Sequence, residues 1–355
     1  MQAERQEQTK PIKVLVVDDS PFRRETLQSI LNGANGIEVI DTASNGQEAI
    51  AKTLSLHPDV ITMDVQMPIM NGFEAIDHIM RRQPTPIIVI SGIEVDTIVK
   101  ALSMGAMDFV SIQQDFSDVM EELVEKIRIA SRVQPIRRMA ITPPWKSEID
   151  QEYTRKIIAI GVSTGGPAAL TQLFQTLPSN LPASLIVVQH ITTGFIQGFV
   201  QHLNSQCPYE ITLAQQGQQV TPGTIIFAPD DQDLYVNPNR CIELRKENHE
   251  EGHHITSIDI MMSSVAQVYG SGSIGVLMTG MGQDGVKGMA AIKQAGGITI
   301  AQNEQTSTVY GMNRLAIESG YIDYVLPLHE IGLQIENLFN PSVIAHGEFK
   351  VEGMD

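Results

Sequence analysis

Short apolar segments alternate with amphipathic segments along residues 12–131, and this alternation limits the possible folds more than any other feature of the sequence. The apolar segments have the length of buried strands, and the segments between them carry apolar residues at helical spacing. The predicted strands are 12–17, 37–40, 60–63, 87–90 and 108–110. The predicted helices are 22–31, 47–56, 73–81, 97–104 and 119–131. Because strands that alternate with helices pair in parallel, we predict an α/β domain with a five-stranded parallel (βα)5 sheet covered on both faces.

A second α/β series begins at Lys156 and does not repeat the first in sequence. Its predicted parallel strands are 157–161, 185–189, 274–278, 298–301 and 324–326. Three further segments, 224–228, 234–236 and 241–244, predict an antiparallel insert that turns at Asn237-Pro238-Asn239. This half is therefore predicted as a doubly wound, mostly parallel α/β sheet with an antiparallel hairpin insert.

A proline-containing segment separates the two series. Pro135, Pro143 and Pro144 lie among charged residues without regular periodicity, which is typical of a linker. The predicted organisation is a disordered tail at 1–11, a first domain at 12–131, a linker at 132–155, a second domain at 156–345 and a tail at 346–355.

The composition argues against several classes of partner. The chain has 41 acidic and 24 basic residues and a net charge of −17, which disfavours general binding to nucleic acid or to anionic membranes. No run of about 18 apolar residues occurs, and residues 1–10 lack the apolar core of a signal peptide. We therefore expect a cytoplasmic protein without a membrane-inserted segment and without nucleic acid among its partners.

Carboxylates follow two strands of the predicted first sheet. Asp18 and Asp19 come directly after the first strand, and Asp64 follows the third. Carboxyl ends of adjacent parallel strands face one cleft, where three carboxylates repel one another unless a cation such as Mg²⁺ neutralises them. One carboxylate is then able to attack a phosphoryl group, and Ser91 adds a hydroxyl after the fourth strand. The alternative, that Asp18 or Asp19 caps the helix that begins near Pro21, does not account for Asp64.

The first half of the sequence resembles the response-regulator receiver domain. The matching segments are 14–20, 63–68, 71–72, 90–91 and 105–110. The resemblance implies that Asp64 accepts a phosphoryl group from a histidine kinase and that Ser91 and Phe109 are switch residues. The Mg²⁺ ligands that it implies are Asp18, Asp19, Asp64 and the backbone carbonyl of Gln66.

One position of the first half departs from the receiver pattern. The family carries a lysine three residues after the aromatic switch residue, whereas this chain has Ile112. Because isoleucine has neither a charge nor a donor, we expect weaker coupling between phosphorylation and the switch. Lys13 and Lys100 are candidate substitutes for the lysine.

A glycine-rich turn around Ser163 follows the first strand of the second domain. Residues 161–166 precede a helix whose first turn contains Pro167, which is the pattern of a nucleophile elbow. Such a turn presents a serine hydroxyl beside the backbone N–H groups of a helix N-terminus. The alternative is a dinucleotide-binding loop, but Ser163 replaces the middle glycine of that fingerprint, and the next strand ends in His190 rather than in an acidic residue.

Two more polar residues follow strands of the second domain. His190 is placed as a general base, and Asp284, in the turn at 279–285, is placed to orient the imidazole. Taken alone, a histidine is more often structural, and the aspartate is equally consistent with a turn residue or a helix cap. The chain order serine, histidine, aspartate differs from that of α/β-hydrolases, so the ordinary topology of that fold is not expected.

The second half resembles the catalytic domain of the chemotaxis protein-glutamate methylesterases. The matching segments are 160–166, 189–190, 194–195, 222–223, 228–229, 257–259, 277–288, 301–304 and 311–312. The resemblance implies Ser163 as nucleophile, His190 as base and Asp284 as the residue that orients it. It also places Thr164 beside the serine and the Met281 backbone N–H at the oxyanion. It implies no cofactor in this domain.

The resemblance further implies a substrate and a product. The substrate is a glutamate γ-methyl ester on a cytoplasmic chemoreceptor helix, the product is methanol, and deamidation of receptor glutamines is a second activity. The usual family residues are replaced at 191–193, at Ile255 and Thr256, and at Asn313, which leaves the receptor preference open. Two alternatives stay open: a different ester or amide substrate, and a receiver-controlled binding protein with vestigial chemistry.

Overall fold

The structure, a computed structural model, describes residues 10–92, 95–111, 119–133, 156–178, 181–246 and 256–339. The chain divides into two compact units between Ile141 and Thr142. Residues 1–9 of the predicted N-terminal tail, residues 134–155 of the predicted linker and the predicted C-terminal tail lie outside the described residues. Within the described parts of the chain, none of the helices has the length and apolar character needed to cross a membrane.

The first unit is a five-stranded parallel sheet with helices between the strands, which confirms the predicted fold. The strands are β1 Ile12–Val17, β2 Ile37–Ala43, β3 Val60–Met63, β4 Ile87–Ser91 and β5 Asp108–Ser111. The helices are α1 Pro21–Gly33, α2 Gly46–Leu56, α3 Gly72–Arg82, α4 Val95–Ser103 and α5 Met120–Ala130. The strand order β2-β1-β3-β4-β5 places β1 beside β3, so that Asp18 and Asp64 follow neighbouring strand ends.

Helix α1 begins at the edge of this sheet because Ser20 caps it. The Ser20 hydroxyl accepts a hydrogen bond from the Arg23 backbone N–H at 3.4 Å, and Pro21 occupies the first turn. The cap is therefore Ser20, and the alternative that Asp18 or Asp19 caps this helix is wrong.

The second unit contains a seven-stranded sheet. Its strands are β6 Lys156–Val162, β7 Ala183–Gln189, β8 Glu210–Leu213, β9 Thr224–Phe227, β12 Ser273–Leu277, β13 Ile298–Gln302 and β14 Tyr324–Leu326. The strand order is β14-β13-β12-β6-β7-β9-β8, and every neighbouring pair is parallel. The hairpin strands are β10 Asp233–Val236 and β11 Ile242–Arg245. The helices are α6 Gly166–Thr176, α7 Ile196–Gln206, α8 Ile258–Tyr269, α9 Val286–Gln294, α10 Met312–Glu318 and α11 Leu328–Phe339. The predicted doubly wound sheet with a hairpin insert is confirmed.

The structure corrects two details of the predicted second sheet. The segment 224–228 is predicted as part of the insert, but β9 lies in the main sheet between β7 and β8. Its residues Ile225, Ile226 and Phe227 are fully buried, as expected for a parallel strand covered on both faces. Strand β8 is not predicted because it is a four-residue edge strand with partly exposed side chains, and therefore lacks a continuous apolar run.

Core packing fixes the start of α8 at the carboxyl edge of the sheet. Ile258, Met261 and Met262 are fully buried and belong to one cluster with Leu277 and Met289. Burying each such side chain contributes roughly 1.5–3 kcal/mol. The first turn of α8 is thereby held next to the loop that follows β12.

Candidate active site and candidate metal site

Three adjacent strands bring the candidate catalytic residues to one edge of the second sheet. Ser163 follows β6, His190 follows β7, and Asp284 lies in the loop after β12. Strand β6 lies between β12 and β7; the chain runs from β6 to β7 on one side and from β12 to β13 on the other, so the strand order reverses between β6 and β12. Ligands of open α/β sheets usually bind at such a position. The structure thus groups the three residues, and their catalytic roles stay predictions.

The turn that carries Ser163 is fixed through its backbone. The Ser163 N–H donates to the Thr279 carbonyl at 3.0 Å, and the Ser163 carbonyl accepts from the Gly166 N–H at 2.8 Å. The side-chain amide of Gln189 donates to the same carbonyl at 2.9 Å. None of these bonds uses the hydroxyl, so the backbone is held without engaging the candidate nucleophile.

The left-handed residue of this turn is Gly165 rather than the serine. Gly165 has a φ of +79°, whereas Ser163 is not among the described non-glycine residues with positive φ. A Cβ at Gly165 would lie 2.4 Å from Thr308 Cβ, so both the conformation and the contact require glycine. The sequence predicted a strained turn but not which residue carries the left-handed conformation.

Gly165→Ala is expected to lower the free energy of unfolding by about 2–4 kcal/mol, because left-handed strain adds to a clash with Thr308. Urea denaturation measures the loss. Gly217→Ala is the matched control, since Gly217 has a φ of +76° and no atom within 4 Å of an added Cβ. The control should lose only the strain of about 1–2 kcal/mol. Equal losses in both variants would show that the Thr308 contact is not what requires glycine.

His190 and Asp284 lie in contact at the site. His190 Nε2 is 3.0 Å from Asp284 Oδ2, and the histidine side chain is 3% exposed. The His190 N–H donates to the Val162 carbonyl at 3.0 Å, which ties the histidine to the residue before Ser163. The carboxylate is thus placed where a residue that orients the imidazole must lie.

The N-terminus of α8 holds Asp284. Asp284 Oδ1 accepts from the Ser257 hydroxyl at 3.0 Å and the Asp259 N–H at 2.9 Å, and Oδ2 accepts from the Ile258 N–H at 2.7 Å. Burial raises the pKa of Asp284, but the His190 contact and these backbone N–H groups outweigh burial and lower the pKa to about 2. The residue is therefore a carboxylate throughout the range in which an imidazole titrates.

Thr164 and Met281 flank the serine. The Thr164 carbonyl accepts from the Thr279 hydroxyl at 2.9 Å, which ties the serine turn to the loop after β12. In that loop, a Cβ added at Gly280 would lie 2.7 Å from Ser163 Cβ. The next backbone N–H, that of Met281, donates to no residue that the structure describes. Such an N–H beside the serine is suited to a developing oxyanion.

Three further residues that support the site, Ser257, Gln189 and Gln302, have no catalytic role that the sequence motifs predict. Ser257 caps α8 in addition to holding the aspartate, and Gln302 Oε1 accepts from the Thr279 N–H at 2.8 Å. A serine before an apolar helical segment is an N-cap signal that predicts the first of these contacts. No local signal predicts the contacts of the two glutamines with Ser163 and Thr279, because these partners lie 26 and 23 residues away.

Two departures from the family have structural consequences. Asn313 is fully buried, and its amide donates to the Gln302 carbonyl at 2.9 Å and to the Ser307 hydroxyl at 2.7 Å, which ties α10 to β13. The Thr256 hydroxyl donates to the Pro229 carbonyl at 2.6 Å. Ile255, a further departure, lies outside the described residues.

The acidic residues of the first unit form one cluster at the ends of β1 and β3. Oxygen atoms of Asp18, Asp19 and Asp64 all lie within 4.8 Å of one another. The Gln66 N–H donates to Asp64 Oδ1 at 3.1 Å, which places residue 66 beside the cluster. Asp18 Oδ2 is buried and accepts no hydrogen bond from any described residue, although Arg23 Nε lies 3.0 Å from it. These oxygen donors fit a divalent cation such as Mg²⁺.

Arg23, for which the sequence motifs predict no role, lies inside this acidic cluster. Its Nε is 3.0 Å from the Asp18 carboxylate, and its Nη2 is 2.6 Å from Asp64 Oδ2 and 3.4 Å from Asp19 Oδ1. Burial raises the pKa of Asp18 to about 6 and also raises the pKa of Asp64, although the guanidinium opposes both shifts. Burial, rather than repulsion among the carboxylates, is thus the largest cause of both shifts.

Ser91 and Phe109, the predicted switch residues, are buried on neighbouring strands β4 and β5. The Ser91 hydroxyl has no hydrogen-bond partner among the described residues. Lys126 Nζ donates to the Phe109 carbonyl at 2.7 Å. The prediction that concerns Ile112 falls outside the described residues.

Comparison with known proteins agrees with this architecture. The CheB methylesterase family matches residues 158–335, and the response regulator receiver domain matches residues 14–124. A protein-glutamate methylesterase/protein-glutamine glutaminase of Caldanaerobacter subterraneus is 38% identical over 91% of this chain and 95% of its own length. A relative of the same name from Pyrococcus horikoshii is 39% identical over 91% of this chain and 92% of its own length. The crystal structure of the Thermotoga maritima CheB methylesterase catalytic domain is 36% identical, covers 52% of this chain and 98% of that chain, and has a TM-score of 0.48.

A receiver sheet followed by a second α/β sheet with polar residues at its switch point defines a response regulator with an enzymatic output domain. More narrowly, the chain belongs to the CheB methylesterase family, and the family predicted from the sequence is confirmed.

Proposed function

We propose that this chain is a protein-glutamate methylesterase that hydrolyses glutamate γ-methyl esters on cytoplasmic chemoreceptor helices and also deamidates receptor glutamines. Its relatives carry both activities in their names. The observation that carries the proposal is the 3.0 Å contact between His190 and Asp284 at strand ends on either side of Ser163.

In the proposed acylation step, Ser163 Oγ attacks the γ-carbonyl carbon of the ester. Because His190 Nε2 faces Asp284, Nδ1 is the nitrogen that takes the hydroxyl proton. The Asp284 carboxylate stabilises the imidazolium, and the Met281 N–H donates to the oxyanion.

The tetrahedral intermediate then collapses. His190 gives its proton to the methoxy oxygen, the C–O bond breaks, and methanol leaves while the receptor glutamate remains esterified to Ser163. A water molecule, deprotonated by His190, attacks this acyl-enzyme and releases the free glutamate. With a glutamine substrate, ammonia replaces methanol as the leaving group.

The first unit is proposed to control this reaction through phosphorylation. Asp64 accepts the phosphoryl group from a histidine kinase, and Ser91 and Phe109 relay the change. The proposed Mg²⁺ ligands are Asp18, Asp19, Asp64 and the backbone carbonyl of Gln66. Mg²⁺ held by these ligands would neutralise charge on the phosphoryl group during its transfer. The receiver match and the grouping of the three carboxylates support this proposal.

Methanol release from membranes that contain methylated chemoreceptors tests the proposed function. We expect the full chain to release methanol and a small phosphodonor to raise the rate. Hydrolysis of small esters without release from receptors would favour a different substrate. The absence of both, together with phosphorylation-dependent binding of a partner, would favour a binding protein with vestigial chemistry.

A further inference from the structure

The acidic cluster of the receiver already contains a positive charge. The Arg23 guanidinium contacts all three carboxylates, at 3.0 Å from Asp18, 3.4 Å from Asp19 and 2.6 Å from Asp64. Arg23 comes from the first turn of α1, directly after the Ser20 cap, so the helix start fixes where its side chain begins. A planar guanidinium with several donors suits such a set of carboxylates.

Both carboxylate oxygens of Asp64 already accept a hydrogen bond. Asp64 Oδ1 accepts from the Gln66 N–H at 3.1 Å, and Oδ2 accepts from Arg23 Nη2 at 2.6 Å. A Mg²⁺ ion binds carboxylate oxygens at about 2.1 Å, so an ion on Asp64 Oδ2 would lie at most about 4.7 Å from Arg23 Nη2. Two like charges at that separation, in a largely buried site, repel strongly.

We propose that Arg23 is the resident counter-ion of this site and must leave Asp64 before a divalent cation binds there. This inference rests on the proposed Mg²⁺ site. The Arg23 side chain is 33% exposed, so it has a path towards solvent. The metal affinity of the receiver is therefore set by a competition between the guanidinium and the cation for Asp64. Asp64 stays paired with Arg23 until a cation displaces the guanidinium.

Arg24 provides a matched control for this competition. Its Nη1 donates to the backbone carbonyls of Asp18 at 2.6 Å and Asp19 at 3.0 Å. Replacing either arginine with methionine removes one positive charge near the cluster, but only Arg23→Met removes a donor from the carboxylate oxygens. A difference in Mg²⁺ affinity between the two variants therefore separates the effect of a guanidinium that occupies the site from the effect of one positive charge nearby.

The test is calorimetric titration of the full chain with Mg²⁺ alone, without a phosphodonor. Arg23→Met should bind Mg²⁺ at least about tenfold more tightly than wild type, which corresponds to about 1.4 kcal/mol. Arg24→Met should change the affinity by less than about threefold, which is about half of that energy. Adding Asp64→Asn to Arg23→Met should remove the gain.

Two results would overturn the inference in different ways. Equal or weaker Mg²⁺ binding by Arg23→Met, with measurable binding by wild type, would contradict the competition but leave the proposed metal site intact. If neither wild type nor Arg23→Met binds Mg²⁺, both the competition and the proposed metal site are contradicted. If Arg23→Met folds poorly, Arg23→Gln and thermal melting give a second measure. Mg²⁺ should then raise the melting temperature of Arg23→Gln more than that of wild type, and an equal rise contradicts the competition.

Discussion

Ser163→Ala is expected to abolish methanol release, with a loss in kcat of roughly 10⁴-fold or more, because residues that act as one catalytic unit fail together. The fold should survive. The bonds that hold the turn use the Ser163 backbone N–H and carbonyl, which alanine retains, with Thr279, Gly166 and Gln189 as partners. The measurement is the rate of methanol release from saturating methylated receptor, together with the melting temperature of the variant.

Ser184→Ala is the control for this prediction. Ser184 is also buried, but it lies near the amino end of β7, at the opposite end of the strand from His190, and its hydroxyl contacts Thr224. It should keep full activity and lose about 1 kcal/mol of stability. A Ser163→Ala variant that retains a tenth of the wild-type rate would rule out this serine as the nucleophile.

Most of the fold follows from local sequence patterns. Strand β3 has the predicted bounds 60–63, because a short apolar run between two helical patterns in an α/β chain usually forms a buried strand. Strand β9 shows that a local pattern does not determine which strand is the pairing partner. Its apolar residues predict a strand, but nothing local says whether its partner is β7 or the hairpin. Pairing depends on which partner buries both faces, and that is decided by the whole sheet.

The candidate sites were predictable to the extent that strand ends position them. Ser163, His190 and Asp284 are 27 and 94 residues apart along the chain, yet the rule that parallel strands share one carboxyl edge predicts that they meet. The residues that hold these three side chains in place are not positioned by the strand ends in this way. The hydrogen bond from the Thr279 backbone N–H to Gln302 Oε1 spans 23 residues, and its geometry depends on two loops together.

Basic residues near the acidic cluster were the hardest to assign. Lys13 is the second residue of β1 and therefore lies near the opposite end of that strand from Asp18. Lys100 Nζ lies 4.7 Å from the centre of the Phe73 ring. The guanidinium that contacts the cluster belongs to Arg23, in a helical first turn where a charged side chain normally faces solvent. Its contact with Asp64 spans 41 residues and has no counterpart in the local pattern.

Asp284→Asn is expected to lower kcat by on the order of 10³–10⁴-fold, as the loss of an orienting carboxylate does in other triads. Asp284 Oδ1 accepts from Ser257 and Asp259, and Oδ2 accepts from Ile258 while facing His190. An asparagine that keeps its oxygen at the Oδ1 position turns its amide towards the Ile258 N–H and His190 Nε2. The imidazole must then accept at Nε2 and carry its proton on Nδ1, the nitrogen that should receive the serine proton. In the opposite orientation, the asparagine NH₂ group faces two hydrogen-bond donors, the Ser257 hydroxyl and the Asp259 N–H, which is unfavourable.

The comparison is made on the rate of methanol release across the pH range in which imidazole titrates, with Asp323→Asn as control. Asp323 resembles Asp284 in accepting backbone and side-chain hydrogen bonds, from Thr299 and Lys293, which outweigh burial and lower its pKa. It precedes β14 at the amino end of that strand, away from the edge that carries Ser163. Asp323→Asn should lose stability and keep its rate at every pH. If Asp284→Asn loses no more activity than Asp323→Asn, Asp284 is a structural acceptor for the start of α8 and His190 works without it.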